Sequence, residues 1–428
     1  MASLLIKGGR VIDPSRQFDG RADVLIANGL IDTVGPNIKA DAKVKVYEAK
    51  GLVVTPGLID MHVHLREPGR EDEETVKSGT RAAAAGGFTT LNCMPNTDPV
   101  IDNASVVRML RDRAEAVGSV NVFVTGAITK GLQGTEISDM GDMVKFGAVA
   151  FSDDGRSVMN AEVMRRAMEY VKMLGVPLIV HPEDHDLSRD GQMHEGYYST
   201  LLGLKPIPAQ AEEVIVARDI RLAELTKSRV HLTHISTKGS MEMVKIAKMH
   251  HIPITCDVTP HHLTLTDADC IGYDTNFKVN PPLRSADDVE AMRQGLVDGT
   301  IDAVASDHAP HAVQEKECEW AYAACGKIGL ESALGVLLTK LVAADVISLP
   351  KLIERLSWAP AKILGLDKDG RGTLRPGAPA DITLIDLTKN WTVDPDKLQS
   401  KSKNTPYGGW ELTGRAADVI VGGKIVRL

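Results

Sequence analysis

The chain has 428 residues, a formal net charge of −8, 43% hydrophobic and 25% charged residues. That length and balance fit a soluble globular protein with a large core, and the acidic excess argues against nucleic acid or an anionic membrane as partner. No apolar run approaches the ~20 residues that a bilayer span needs. The opening MASLLIKGGRVIDPS is too briefly apolar before Lys7 to read as a signal peptide. Cys93, Cys256, Cys270, Cys318 and Cys325 are an odd set with no CxxC pair, so no disulfide framework is expected and a reducing cytoplasm is.

Residues 1–56 read as short strands. Ala22–Ala27, Asn28-Gly29 and Leu30–Val34 form a hairpin signal, because Asn-Gly accepts the positive φ of a tight turn. Lys43–Tyr47 alternates like a half-exposed strand, and Leu52-Val53-Val54 leads through Thr55-Pro56-Gly57 into the next segment. Near the other end, Ala380–Asp386 and Ala417–Val426 echo the pattern of Ala22–Ile26. Neither end looks self-sufficient, so residues 1–56 and 365–428 are expected to build one composite β-sandwich domain. The Gly/Pro-rich Gly370–Gly377 marks the return of the chain to it.

Between them, residues 57–364 alternate. Apolar, β-rich runs fall at 58–65, 88–95, 121–128, 148–153, 177–182, 230–236, 253–258 and 302–307. Helical spacing falls between most of them, at Glu73–Ala85 (ended by Gly86-Gly87), Ala104–Val117, Ala161–Leu174, Ala209–Leu225, Met241–His250 and Ala286–Leu296. Eight strands alternating with helices predict an α/β fold, a (β/α)8 TIM-type barrel. A doubly wound open sheet would call for a glycine-rich phosphate loop after the first strand, and the sequence has none.

In such a barrel, chemistry sits where the strands end. The first predicted strand ends in His62 and His64, two residues apart and therefore on one face. The fourth ends Ser152-Asp153-Asp154, the fifth His181, the sixth His234 and the eighth Asp307. Four histidines and two aspartates on one rim suffice for two metal ions, since imidazole suits Zn2+ and a carboxylate can bridge a pair. Asp154 reads as a turn former or an acceptor behind the ligands. His185, His194, His231, His250 and His251 read as packing or surface residues, and His261, His262 and His308 lie near the rim without an assigned role.

The runs His62-Val63-His64-Leu65-Arg66-Glu67-Pro68-Gly69, Met94-Pro95-Asn96-Thr97, Asn280-Pro281-Pro282-Leu283-Arg284 and Ser306-Asp307-His308-Ala309-Pro310-His311 resemble the amidohydrolase superfamily. Within it they resemble the class I dihydroorotases, and the likeness covers essentially the whole chain. The resemblance implies a centre of one or two Zn2+ per subunit, with His62, His64 and Asp307 on one ion and His181 and His234 on the other. Many relatives bridge the ions with a carboxylated lysine at the end of strand four. Here Phe151-Ser152-Asp153 has no lysine, and Asp153 is the expected substitute.

The resemblance further implies reversible cyclisation of N-carbamoyl-L-aspartate to dihydroorotate, with Asp307 as general acid and base. Arg66, Asn96 and His311 are the expected contacts of the substrate carboxylate, Asn280 that of the ring, and His64 is a further expected substrate contact. Backbone contacts are expected near Cys325-Gly326, in a lid spanning Pro310–Gly329. The bland alternative for Arg66 is an ion pair with Glu67 or Glu71. A homodimer and a complex with aspartate transcarbamoylase are further expectations. The rival functions are another cyclic amidase, which should carry the strand-four lysine and lack an arginine after His-x-His, and a structural partner subunit, which should have lost ligands.

Overall fold

The computed structural model of the chain describes residues 3–39, 41 and 43–427. Eight parallel strands, Leu58–Val63, Phe88–Cys93, Asn121–Gly126, Ala148–Phe151, Leu178–Val180, Val230–Leu232, Ile254–Val258 and Ala303–Val304, pair in sequence order. The ring closes where Val63 bridges His308 and the His64 amide donates to the His308 carbonyl. This is the (β/α)8 barrel that the alternation predicts.

Helices form where capping chemistry meets an apolar stripe. Asn103 and Asn160 cap helices Ala104–Val117 and Ala161–Leu174 through their side-chain oxygens. The helix predicted from Glu73 starts three residues later, at Val76, because Thr75 and Ser78 form a reciprocal cap. Glu73 and Glu74 are thereby left outside it, buried at the barrel mouth. The same helix ends at Gly87, whose φ of 95° suits its C-cap position.

The barrel interior is packed, not hollow. Ile59, Met61, Met94, Ala150, Ile179, Ala303 and Ala305 form an apolar plug in its lower half, sealed by Ile363, Leu364 and Leu366. Alternate residues such as Val63, Phe151 and Val180 face outward to the helices.

Strands from both ends of the chain join one eight-stranded sheet. Val53–Pro56 pairs antiparallel with Ile382–Ile385, and Ile382–Thr392 pairs with Glu411–Val421. The Asn28-Gly29 turn has φ of 53° and 81°, as its hairpin requires. Between Thr392 and Glu411 the chain leaves the sheet and reaches the barrel mouth. There the Asn404 amide donates to the Ala309 and Gly326 carbonyls, and the Ser400 hydroxyl donates to Glu74.

Candidate active site

The barrel strands aim their last side chains by simple rules and two local departures. Strand alternation carries Ile179 to His181, and Ala303 and Ala305 to Asp307, all on the interior side. The first strand needs a bulge: Asp60 lies opposite Leu91 while Val63 lies opposite Cys93, three residues against two. The extra residue lets His62 and His64 face the interior above Ile59 and Met61. His234, Asp307 and Arg66 sit at φ of 39°, 49° and 61°, a region that non-glycine residues rarely adopt. Such strain gathers where surrounding contacts over-determine the backbone.

The fourth strand corrects the sequence-based assignment. Ala150 faces the barrel interior and Phe151 the helices. Alternation then places Asp154 inside and Asp153 outside. The Asp153 carboxylate is spent on the Ile128 amide (2.8 Å), the Thr129 amide (3.0 Å) and the Thr129 hydroxyl. Burial pushes its pKa up to about 6 against those hydrogen bonds. The Asp153 carboxylate is therefore turned away from the histidines, and Asp154 stands among them.

Asp154 Oδ1 lies 3.2 Å from His62 Nε2 and 3.8 Å from both His181 Nδ1 and His234 Nε2, and its Oδ2 lies 3.5 Å from His64 Nε2. Asp307 Oδ1 lies 3.6 Å from His62 Nε2 and 3.4 Å from His64 Nε2. All six side chains are buried. Burial disfavours charge at His62, Asp154 and Asp307, yet attraction within the cluster overrides it at all three. The carboxylates, Asp154 foremost, push His62 up to about 10. Asp154 is held well below the usual carboxylate range chiefly by His62, and Asp307 chiefly by its hydrogen bond with His64.

Three of the ring nitrogens turned away from the cluster have partners. His64 Nδ1 donates to Asn96 Oδ1 at 2.9 Å, and His62 Nδ1 to Thr233 Oγ1 at 2.8 Å. His181 uses Nε2 outward, donating to Glu183 Oε2 at 2.9 Å, and so presents Nδ1 inward. His62, His64 and His181 thereby each turn the other ring nitrogen to the cluster, as metal-ligating histidines require, and His181 Nδ1 meets His234 Nε2 there at 3.0 Å.

The donor set fits a divalent metal. His62, His64 and Asp307, and again His62, Asp154 and His234, each present three ligand atoms within 4.8 Å of one another. Among the described residues, His62 Nε2 and Asp154 Oδ1 are buried without a hydrogen-bond partner. Imidazole and carboxylate together are the ligands of hydrolytic zinc sites.

Beside the cluster lies a cationic pocket. Arg66 Nε pairs with Glu73 Oε2 at 2.9 Å and donates to the Pro310 carbonyl at 3.0 Å, while its Nη2 lies 3.4 Å from His311 Nε2. The partner is thus Glu73; Glu67 instead holds the Val76 amide and Arg113. His311 is fixed by Glu73 (3.0 Å) and the Cys325 carbonyl (2.9 Å). Asn280 Nδ2 donates to Glu183 Oε2 at 2.9 Å, on the His181 side. Gly326 lies against His311: a Cβ there would come within 2.8 Å of its ring. Buried Lys278 and Lys316 pin the lid by donating to the Trp320 and Ala324 carbonyls, both at 2.7 Å.

The sequence reading missed Asp154, Glu183 and Glu73. Parity from Ala150 was a usable signal for Asp154, and Glu183 follows His181 by two residues. Glu73 carried no local signal, because its partners Arg66 and His311 meet only in the fold.

Comparison with known proteins places this geometry. Residues 51–240 match a family model described as dihydro-orotase-like. A dihydroorotase of Geobacter metallireducens is 53% identical over 424 residues, 99% of each chain. One of Pelotomaculum thermopropionicum is 53% identical over 423 residues, 99% of this chain and 98% of the other. Among solved structures, the L-hydantoinase (dihydropyrimidinase) of Arthrobacter aurescens superposes with a TM-score of 0.90 at 25% identity, over 100% of this chain and 96% of that one. The dihydropyrimidinase of Brevibacillus agri shares the fold with a TM-score of 0.86 at 22% identity, over 99% and 95%.

Proposed function

This chain belongs to the dihydroorotase family, and from that premise we propose that its buried histidine–aspartate cluster is a zinc centre that interconverts N-carbamoyl-L-aspartate and dihydroorotate. The chain is a hydrolase of a cyclic amide bond, and no helix among the described residues is long and apolar enough to cross a membrane. His62, His64 and Asp307 would hold one ion, His181 and His234 the other, and Asp154 would touch both. When bound, such ions supply Lewis acidity that brings the pKa of a water toward neutrality and polarises the amide carbonyl.

The remaining steps belong to the chain. Asp307, held ionised by His64 and His62, starts as the base, takes the proton of the attacking water and passes it to the departing ring nitrogen. In the reverse direction it protonates the departing oxygen as the ring closes. Arg66, His311 and Asn96 receive the substrate carboxylate, while Asn280 meets the ring. The Pro310–Gly329 segment covers the pocket and keeps bulk water out, with the Cys325-Gly326 backbone against the substrate. All five cysteines are free, which suits a reducing cytoplasm as the working compartment.

The observation that carries the substrate assignment is a partly buried arginine two residues beyond a cluster histidine, with His311 at 3.4 Å. A guanidinium there selects a carboxylate-bearing ring over an uncharged one. Arg66→Ala should lower kcat/KM for dihydroorotate about 10–100-fold, the worth of a charged hydrogen bond. Its effect on any turnover of hydantoin should be small by comparison. Equal losses on both substrates would remove Arg66 from the recognition role.

A further inference from the structure

We propose that Asp257, a carboxylate outside the metal-ligating set, is the positioning residue that orients one histidine ligand of each ion, His62 through Thr233 and His234 through its backbone. The proposal rests on the metal-centre reading above.

Asp257 is fully buried on the seventh barrel strand, beneath the cluster. Its Oδ2 accepts from the Thr233 hydroxyl at 3.1 Å and from His231 Nε2 at 2.8 Å. Its Oδ1 accepts the His234 amide at 2.6 Å. His231 is itself fixed on its other face by the Thr255 hydroxyl, 2.9 Å from Nδ1. Asp257 is thus a satisfied buried carboxylate that ties the seventh strand to the end of the sixth, and its three hydrogen bonds fix its geometry.

Two consequences follow. A hydroxyl that donates to Asp257 can only accept from His62, so Thr233 must receive an N–H from His62 Nδ1. That fixes the His62 tautomer and leaves Nε2 with a lone pair facing Asp154 and Asp307. Without Asp257, the Thr233 hydroxyl could turn and donate to Nδ1 instead, which would put the proton on Nε2 and block it as a ligand.

The second branch acts on the backbone. His234 sits at φ 39°, and among the described residues nothing hydrogen-bonds its Nδ1. Its ring meets only other members of the cluster, His181 Nδ1 at 3.0 Å and Asp154 Oδ1 at 3.8 Å from Nε2, so outside the cluster it is held through its main chain, and the Asp257–amide contact pins that strained main chain. A side chain that never touches the ions therefore controls a nitrogen donor to each.

Metal-free protein titrated with zinc against a chromophoric chelator, with Co2+ spectra recorded alongside, tests this without turnover. Wild-type protein must first take up metal; if it takes up none, the metal-centre reading fails and the positioning role with it. Asp257→Asn should weaken both ions about 10–100-fold, the usual cost of disturbing the partner of a ligand. Thr233→Val should weaken the His62 ion alone and alter its Co2+ spectrum, and Thr233→Ser should restore both readouts. Wild-type affinities in Asp257→Asn and Thr233→Val, with wild-type uptake intact, would overturn the proposal. So would a Thr233→Val loss that Thr233→Ser leaves unrepaired. If Asp257→Asn does not fold, the Thr233 pair decides.

Discussion

The lower and upper halves of the barrel interior are built from the same eight strands and obey different rules. Below, Ile59, Met61, Ala150, Ile179, Ala303 and Ala305 pack as an ordinary apolar plug. Above, within four residues along the same strands, stand His62, Asp154, His181 and Asp307, all buried and all ionisable. The upper half also holds the bulge after Asp60 and the left-handed residues His234 and Asp307. The lower half gains stability from burial; the upper half concentrates like and unlike charges that burial disfavours and that only precise pairing, or a metal, can offset.

That division can be broken first at the fourth strand, where the largest effect is expected. Asp154→Asn should cut metal affinity by more than the ~100-fold that a change behind the ligands can cost, and take turnover with it. Asp153→Asn, one residue away, should keep metal and turnover while losing about 1–3 kcal/mol of stability, because its one remaining oxygen still serves the Ile128 and Thr129 amides while an NH2 replaces the oxygen that accepts the Thr129 hydroxyl. Metal content and urea unfolding of the two variants read this directly. The opposite pattern would return Asp153 to the ligand set.

A second substitution works from below. Ile179→Ala should cost about 2–5 kcal/mol of stability by opening a cavity in the plug. Two residues upstream of His181, it should still leave zinc uptake and KM near wild type. A lost ion in that variant, at a temperature where it is folded, would show that the two halves are not separable.

The smallest effect is a pH slope. Burial pushes the Lys327 ammonium, which donates to the Ser306 carbonyl, down to about 8. An unfolded lysine keeps its proton to about 10.4. Between those values the unfolded chain binds more protons, so stability should rise with pH across the window, with the full penalty present below about 8. Lys316, also pushed down to about 8 by burial, adds to the same rise. Denaturant midpoints of metal-free protein from pH 7.5 to 10 should show a flatter rise in Lys327→Met than in wild type. An unchanged slope would mean that Lys327 keeps its proton in the folded protein to the same pH as in the unfolded chain.

The contrast also explains what could be read from the chain alone. Barrel strands and helices follow period-2 and period-3.6 patterns that burial imposes, so Ala104–Val117 and Ala161–Leu174 appear with the bounds their spacing predicts. Five of the six clustered side chains were legible because each ends a predicted strand. Asp153 was chosen over Asp154 because the choice depends on which way Ala150 faces, and the apolar run Ala148–Phe151 is buried on nearly every residue. Thr233, Asp257 and Glu73 were illegible for another reason. Their meaning lies in pairings such as His62 with Thr233, 171 residues apart, which no local pattern encodes.

Crystals of zinc-loaded protein, measured for anomalous scattering at the zinc edge, address the central claim most directly. The expected map has its peak or peaks among His62, His64, Asp154, His181, His234 and Asp307, with Asp154 in contact and Asp153 still turned toward Ile128 and Thr129. Zinc bound away from these side chains, or held by Asp153 in place of Asp154, would contradict the account.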